Sequence, residues 1–399
     1  MNFQIEKLSA IAKKSSRLII GLMSGTSMDG LDIALCKCSG FGKDTTVEVL
    51  KFKTVAYGDD FKNDIRQIFS RRDADLQMVC LMNDKIALFH AELILAALSE
   101  WNFKPEDIDL IASHGQTIFH APKSYHQLEN YPNATLQIGD GDHLAVRTGI
   151  ITISDFRQKH LAAGGEGAPL AVYGDYLIFS KSGENRVMLN IGGISNFTFL
   201  PADGDAARVF STDIGPGNTM MDQFVQLNYR DLQYDKDAVL ARQGEVNDDL
   251  LQELLDHEFF DIPFPKTTGP ELFNLKYLKA AIERSHNENI KNEDVLATLC
   301  EFTARGIIMS IKKSFTESDK PVIYLSGGGM HNPLLFEKLN SALPFAKFAD
   351  TNQLGINPDA KEAVLFAVLA NETVAGKPIN FGDRTGVPSV CMGKICLTE

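Results

Sequence analysis

A glycine-rich turn near the start of the chain carries residue types that bind phosphate groups. It lies between two apolar runs, residues 18–23 and 31–36. Glycines let the backbone approach an anion, hydroxyls add donors, and a carboxylate suits a phosphate bound through Mg²⁺ or water. A plain β-hairpin turn accounts for the segment equally well, because Asp and Gly are common in such turns. The candidate cofactor-binding residues here are Gly25, Thr26, Ser27, Met28, Asp29, Gly30, Leu31 and Asp32.

Two later glycine turns repeat this arrangement, at residues 190–196 and 326–332. The second of them follows a predicted strand, residues 322–325, and its three consecutive glycines would form a flat floor beneath a nucleotide base. Each turn alone is a weak signal, whereas three such turns, each after an apolar strand, favour a nucleotide-binding protein. The further cofactor-binding candidates are Gly192, Gly193, Asn196, Gly327, Gly328, Gly329 and Asn332.

The two commonest nucleotide motifs are absent from the sequence. No segment has the glycine spacing of a P-loop followed by Lys and Ser or Thr. Residues 164–167 contain three glycines but lack the spacing and the strand-to-helix setting of a dinucleotide fingerprint, and Glu166 would repel a pyrophosphate. The glycine turns therefore predict a nucleotide site of another kind.

Asp213 is a candidate catalytic carboxylate. It comes at the end of a possible strand, before the rigid turn formed by residues 215–217. In α/β proteins, catalytic carboxylates lie where strands end at a cleft. The alternative makes Asp213 an N-cap or turn former for the helix that begins near Met220. The spacing by itself slightly favours that alternative.

The surrounding pattern predicts an α/β protein with two lobes. A chain of 399 residues is too long for one ordinary hydrophobic core. Strand–turn–strand units with glycine turns recur in both halves, which suggests a duplicated nucleotide clamp with a cleft between the lobes. Helical periodicity covers residues 61–100, 293–312 and 357–376. The predicted lobes are residues 1–183 and 184–399, with the 357–376 helix packing back on the first lobe.

Composition restricts the location and the partners of the protein. The net charge of −13 argues against nucleic acid as a partner, since phosphate backbones attract basic surfaces. Residues 1–17 lack the apolar core of a signal peptide, and the apolar helical region at residues 88–98 is too short to span a bilayer. We therefore expect a cytoplasmic protein that does not bind membranes. The sequence does not decide whether the protein forms a homodimer.

Taken together, the motifs resemble those of the anhydro-N-acetylmuramic acid kinase family. They follow the order of that family from residue 21 to beyond residue 330, which is most of the chain. The matching segments are residues 21–30, 113–117, 136–139, 155–157, 164–170, 190–196, 213–218, 268–269 and 327–332.

The resemblance implies a fold and a set of site residues. The fold would be the two-lobed one of actin, hexokinase and acetate kinase, with ATP and Mg²⁺ in the cleft and the metal ligands unknown. Residues 25–32, 190–196 and 327–332 would be the first phosphate loop, the second phosphate loop and the adenosine loop. Asp213 matches the catalytic aspartate, and Glu362 matches a glutamate near the sugar, which we also predict to be catalytic. The implied sugar-binding residues are His114, Asp155, Arg157 and Gly165.

The sequence departs from the family pattern in the predicted sugar region. His160 stands where many members carry Asp, and Glu166 where many carry Gln. Residues 141–143 also differ, and residues 124–133 resemble an insertion. None of these changes touches Asp213 or the glycine turns. The departures therefore bear on sugar specificity and not on phosphoryl transfer.

The implied reaction joins ring opening to phosphoryl transfer. Water opens the 1,6-anhydro ring at C1, and O6 takes the γ-phosphoryl group of ATP, giving N-acetylmuramic acid 6-phosphate and ADP in peptidoglycan recycling. We hypothesise that Asp213 accepts a proton from this water, with Asp155 as the second candidate base. The alternatives are a kinase for another anhydro-sugar, such as levoglucosan, and a non-catalytic sugar sensor. An intact Asp213 and three complete glycine turns speak against the sensor.

Overall fold

The structure, a computed structural model, describes residues 2–26, 28–287, 289–382 and 386–399, with every side chain among them except that of Ser124. Ser27, one of the predicted phosphate-loop residues, lies outside these ranges. The strands are β1 (Ser16–Ser24), β2 (Gly30–Ser39), β3 (Thr46–Ala56), β4 (Leu110–Ala121), β5 (Ala134–Ile138), β6 (Thr152–Ser154), β7 (Arg186–Ile191), β8 (Ile194–Leu200), β9 (Phe210–Pro216), β10 (Val322–Ser326), β11 (Lys347–Asp350) and β12 (Lys394–Cys396). The α-helices are α1 (Phe3–Lys13), α2 (Asp59–Arg66), α3 (Leu76–Glu100), α4 (Lys123–His126), α5 (Gly141–Thr148), α6 (Phe156–Ala162), α7 (Ala171–Phe179), α8 (Thr219–Asn228), α9 (Asp248–Leu255), α10 (Leu275–Arg284), α11 (Asn292–Ser314), α12 (Pro333–Ala342) and α13 (Lys361–Ala375).

The chain folds as two compact units. The first comprises the residues up to Phe179 together with Gly355–Glu399, and the second comprises Ser180–Leu354. The segment after α13, which the sequence analysis left with the second lobe, lies in the first unit because β12 pairs antiparallel with β6.

The first unit is built on a seven-stranded sheet in the order β12-β6-β4-β1-β2-β3, with β5 paired to β4. Side chains alternate between the two faces of β1. Ile20 and Leu22 join a buried cluster with residues of α3 such as Ile86, whereas α13 packs on β1, β2 and β4. At Gly21 an added Cβ would lie 1.9 Å from the carbonyl oxygen of Ala363 in α13. The glycine is what allows the helix to approach the central strand this closely.

The second unit is built on a five-stranded sheet in the order β11-β10-β7-β8-β9. Its core joins Leu189 of β7 and Ile214 of β9 to the long helix α11, where Leu299 and Phe302 are fully buried. Strand β7 is parallel to β10 and antiparallel to β8. The carboxyl ends of β7 and β10 therefore meet at one edge of the sheet.

The two units share one strand order. Three antiparallel strands are followed by two parallel ones, as β3-β2-β1-β4-β6 in the first unit and as β9-β8-β7-β10-β11 in the second. The predicted mixed α/β class is confirmed, and the repeated order agrees with the duplication inferred from the glycine turns.

One local prediction needs correction. The helical pattern over residues 61–100 is two helices, because Ser70 adopts a left-handed backbone (φ 57) and donates its N–H to the Ile118 carbonyl. Asp75 then caps α3 by accepting from the Gln77 N–H at 2.8 Å. Residues 113–117, which match the family pattern, lie within β4.

In the part of the chain that the structure describes, no helix has the length and apolar character needed to cross a membrane.

Candidate active site

The predicted first phosphate loop begins in the turn between β1 and β2 and continues into β2. Met28 has a left-handed backbone (φ 59), and its N–H donates to the Gly25 carbonyl at 3.2 Å. The Met28 side chain is buried, whereas Thr26 and Asp29 are exposed. The turn is therefore tight on its protein side and presents a hydroxyl and a carboxylate to solvent, as a Mg²⁺-bound phosphate requires.

Asp32 lies on β2, within electrostatic reach of Glu362 at the start of α13. Burial raises the pKa of Asp32, which the hydrogen bond from Thr54 at 2.5 Å opposes and the charge of Asp359 reinforces. Desolvation also raises the pKa of Glu362, although its side chain reaches solvent, while Arg157 lowers it and Asp32 raises it further. The first unit thus holds a residue of the predicted phosphate loop within electrostatic reach of the predicted catalytic glutamate.

The predicted sugar residues His114 and Arg157 are hydrogen-bonded to each other. The Nδ1 of His114 donates to the Gly115 carbonyl at 2.9 Å, and its Nε2 accepts from the Nε of Arg157 at 2.9 Å. Burial and the Arg157 charge lower the pKa of His114 to about 3, so the imidazole is neutral and this tautomer is fixed. Both ring nitrogens of His114 are hydrogen-bonded within the protein. The role that the structure supports for His114 is therefore to orient Arg157.

The loop that contains Gly165 is held by Arg157 and His160. Arg157 donates from Nη1 to the Gly167 carbonyl at 2.7 Å, and the Gly167 N–H donates to Nδ1 of His160 at 2.9 Å. An added Cβ at Gly165 would lie 2.2 Å from the His160 ring, and Asn133 donates to the Gly165 carbonyl at 3.3 Å. His160 and the insertion-like segment with Asn133, two of the departures from the family pattern, therefore shape this one loop.

Asp155, the second candidate base, is engaged in an ion pair. It precedes α6 with a left-handed backbone (φ 55), and its Oδ2 accepts a hydrogen bond from the Nζ of Lys394 in β12. This lysine competes with any water for the Asp155 carboxylate.

In the second unit, Asp213 lies in a row of polar side chains across three strands. Asn190 of β7 pairs with Asn196 of β8, and Asn196 pairs with Asp213 of β9. Paired residues on neighbouring strands point to the same face of a sheet. All three are partly exposed, whereas Ile191 and Ile214 beside them are buried. The row therefore joins the second phosphate loop directly to the predicted catalytic aspartate.

The environment of Asp213 suits a general base. Its Oδ2 accepts a hydrogen bond from the Thr268 N–H at 2.9 Å. Burial raises the pKa of Asp213 to about 6, with the Thr268 bond opposing the shift and the charge of Glu271 adding to it. Asp213 does not cap α8, because Asn218 occupies the N-cap position. The capping alternative weighed from the sequence is therefore wrong.

The predicted second phosphate loop and the predicted adenosine loop meet at the carboxyl ends of β7 and β10. Gly327 has a positive φ of 81, and an added Cβ there would lie 2.6 Å from the Asn190 Oδ1. The Asn218 N–H donates to the Gly192 carbonyl at 2.8 Å. Asn332 caps α12 by accepting from its Leu335 N–H. In α/β proteins, ligands bind at such strand ends.

Several residues of this arrangement escaped the sequence analysis. Thr268 and Asn218 lie inside motifs of the resemblance but received no role, and Asn190 was included in the second phosphate loop but not among the cofactor-binding candidates. His160 was noted only as a departure. Each of these residues acts through contacts with residues distant along the chain. The sequence therefore indicated the segment that contains the residue, but not the residue that it contacts.

The donor set fits Mg²⁺ carried by a nucleotide. Among the described residues, no group of three or more His, Cys, Asp or Glu side chains could hold a metal alone. Kinases bind Mg²⁺ through one or two carboxylates together with substrate phosphates. The exposed carboxylate of Asp29, in the first phosphate loop, is suited to that arrangement.

The sequence matches known proteins over almost its whole length. The family model described as anhydro-N-acetylmuramic acid kinase covers residues 17–397. The anhydro-N-acetylmuramic acid kinase of Pseudoalteromonas atlantica is 55% identical over 401 residues, with all of both chains covered. That of Caldanaerobacter subterraneus is 40% identical, covering 98% of this chain and all of the relative. The solved activator of 2-hydroxyisocaproyl-CoA dehydratase from Clostridium difficile aligns at 13% identity with a TM-score of 0.36, covering 90% of this chain and 95% of that one, too weak a likeness to support an inference. On the sequence matches, the chain belongs to the anhydro-N-acetylmuramic acid kinase family.

Proposed function

We propose that this protein uses ATP to phosphorylate 1,6-anhydro-N-acetylmuramic acid at O6 while water opens the anhydro ring. The products are N-acetylmuramic acid 6-phosphate and ADP, and the reaction serves peptidoglycan recycling in the cytoplasm. The observation that carries the proposal is the family match over residues 17–397, within which Asp213 has the surroundings of a general base.

The chemistry of the anhydro-sugar decides what the base must do. O6 is tied to C1 as an ether, so it has no proton to lose and cannot attack phosphorus until that bond breaks. Asp213 therefore takes its proton from the attacking water. As the water oxygen bonds to C1, the C1–O6 bond breaks, O6 bonds to the γ-phosphorus, and ADP leaves with the electrons of its bond to phosphorus.

The geometry supports this role for Asp213. With a pKa of about 6 the carboxyl is mostly ionised at neutral pH, and a base titrating near the working pH is close to the optimum for proton transfer. The Thr268 N–H holds Oδ2, which leaves Oδ1 to accept the proton.

The remaining predicted residues bind and orient the two substrates. The three glycine loops are proposed to hold ATP, with Asp29 holding Mg²⁺, whose charge would neutralise the phosphate oxygens. Arg157, fixed by His114 and Gly167, is proposed to contact the sugar together with Glu362.

Two measurements test the proposed function. ADP release, followed with Mg²⁺ and ATP, should depend on 1,6-anhydro-N-acetylmuramic acid, with a kcat/KM well above that for levoglucosan. A higher kcat/KM for levoglucosan would reassign the substrate, and no sugar-dependent ADP release would favour the sensor. In ¹⁸O-water the label should enter the anomeric hydroxyl, provided that products are analysed before this group exchanges with solvent. Label in the phosphate ester bridge would refute the mechanism.

A further inference from the structure

A chain of four buried polar side chains lies beneath the first phosphate loop. Ser24, Tyr57, His90 and Gln116 are between 0% and 3% exposed. The Tyr57 hydroxyl is 2.8 Å from Nε2 of His90 and 2.8 Å from Oγ of Ser24. Ser24 donates to Oε1 of Gln116 at 2.6 Å, and Nε2 of Gln116 donates to the Gly25 carbonyl at 3.2 Å. No sequence motif gave these side chains a role in the reaction.

The hydrogen bonds of this chain run in one direction. Because Nε2 of Gln116 faces the carbonyls of Gly25 and Thr117, its Oε1 must accept, and Ser24 must be the donor. The Ser24 oxygen is then free to accept from the Tyr57 hydroxyl. The Tyr57 oxygen in turn accepts from the Nε2–H of His90, whose Nδ1 has no partner in the described structure. Burial lowers the pKa of His90 to about 3, so the ring is neutral, and the hydrogen bond to Tyr57 selects the tautomer.

The chain reaches both sides of the turn between β1 and β2. Gln116 binds the carbonyl of Gly25 where the turn begins. The backbone N–H of Tyr57 donates to the Asp29 carbonyl at 3.0 Å where the turn leads into β2. Between these points lies the tight turn closed by Met28, whose left-handed backbone is unfavourable for a residue with a side chain. A strained turn persists only when its surroundings hold it.

We propose that Tyr57, acting through Ser24 and Gln116, is a positioning residue that holds the first phosphate loop in its nucleotide-binding shape. The inference rests on the proposed function, since it takes this loop to bind ATP phosphates. If the loop is held in place before ATP arrives, the entropy cost of ordering the loop does not reduce the free energy of ATP binding. A phenylalanine would pack in the same aromatic cluster with Phe61 and Phe89. The hydroxyl is therefore explained by its hydrogen bonds and not by packing.

The test removes one hydroxyl and compares it with a matched change elsewhere. Tyr57→Phe should raise the KM for ATP ~10-fold, the scale of leaving buried hydrogen-bonding groups without partners, while the KM for the sugar changes less than about twofold. Tyr277→Phe is the control, because its hydroxyl donates to the Leu254 carbonyl within the second unit, whereas this loop belongs to the first. It should leave both KM values unchanged.

A second variant tests the connection itself. Ser24→Ala interrupts the chain between Tyr57 and Gln116, so it should raise the KM for ATP as Tyr57→Phe does. The double variant should be little worse than Ser24→Ala, because both changes break the same chain. Additive effects on the KM for ATP would overturn the inference.

Hydrogen exchange separates this inference from the proposed function, because it reports the loop without any substrate. Peptides that span the β1–β2 turn should exchange faster in Tyr57→Phe than in wild type or in Tyr277→Phe. Unchanged exchange, or a lower melting temperature with an unchanged KM for ATP, would make Tyr57 merely structural and overturn the inference. A third outcome separates the two proposals: Tyr57→Phe exchanges faster, but the wild type binds no ATP analogue in calorimetry. That outcome would support the positioning role of Tyr57 and refute the function proposed for the loop.

Discussion

Replacing Asp213 by asparagine should separate catalysis from binding. The amide of Asp213→Asn keeps an oxygen at the position of Oδ2, so the hydrogen bond from the Thr268 N–H at 2.9 Å can persist. What is lost is the ability to take a proton. A general base contributes ~10²–10⁴-fold, which corresponds to about 3–5 kcal/mol of transition-state stabilisation. We therefore expect kcat to fall by that factor with little change in the binding of ATP or sugar.

Stability should move in the opposite direction to activity. The pKa of Asp213 is raised in the folded protein, so its stabilising effect is complete at low pH and is lost as pH rises through about 6. At pH 8 the wild type folds with a desolvated carboxylate, which the neutral amide relieves. The melting temperature of Asp213→Asn at pH 8 should equal or exceed that of wild type. A lower melting temperature would mean that the loss of activity reflects damage to the fold.

The assay is ADP release under saturating ATP and sugar, with calorimetry for each ligand. Asp222 on α8 is the informative comparison, because burial raises its pKa to about 6 as well. A pH profile alone would not distinguish the two carboxyls, but the Asn variants would. If Asp213→Asn retains more than about a hundredth of the wild-type kcat, the reasoning fails. A full loss in Asp222→Asn instead would move the base to α8.

Three further outcomes follow from the same geometry. In wild type, kcat/KM should fall about tenfold per pH unit below pH ~6 as Asp213 is protonated. Glu271→Gln should move this acidic limb of the pH profile to lower pH, because the charge of Glu271 raises the pKa of Asp213. An acidic limb that stays in place would remove Glu271 as a cause of the raised pKa. Gly165→Ala should lower the melting temperature, because its methyl group would overpack against the His160 ring at a cost of ~1–3 kcal/mol. Adding His160→Ala should recover part of the lost melting temperature. Equal melting temperatures for the single and double variants would contradict the contact between Gly165 and His160. Gly21→Ala, whose methyl would meet the Ala363 backbone, should destabilise the protein strongly in denaturant titrations, whereas Gly58→Ala, with open space around it, should not.

The sequence predicted the positions of the glycine turns, which depend on local chemistry. Each glycine turn was placed correctly because an apolar strand ending in glycines needs no distant residue to be recognised. The cross-strand row of Asn190, Asn196 and Asp213 was not predicted, because it depends on strand register, and register is set by the whole sheet.

Contacts between distant segments account for most of what was missed. The hydrogen bond from Thr268 to Asp213 joins residues 55 positions apart, and the one from Arg157 to His114 joins residues 43 apart. No periodicity connects such residues, and the small-residue loop at 164–167 gave no sign that His160 would pack against Gly165. Asp213 itself was ambiguous because a carboxylate before a glycine turn suits both a cap and a base, and only the position of Asn218 at the helix start removes the first reading.

The duplicated strand order explains why the two predicted phosphate loops occupy equivalent places in their sheets. The first loop joins β1 to β2, and the second joins β7 to β8, which are the central antiparallel pairs of their sheets. In each sheet the next parallel strand runs beside that loop, β4 in the first unit and β10 in the second. In both units, residues of this parallel strand are therefore placed to contact the turn.

The two units use that equivalent strand for different ends. In the second unit β10 stops at Ser326, which pairs with Asn190, and the glycines of the adenosine loop follow at once. In the first unit β4 continues to Ala121, and Gln116, paired with Ser24, binds the phosphate loop from below. In the second unit the strand therefore ends at the predicted adenosine loop, whereas in the first unit the buried polar chain lies at the equivalent place. Tyr57→Phe therefore tests whether the buried polar chain supports nucleotide binding through the loop that it holds.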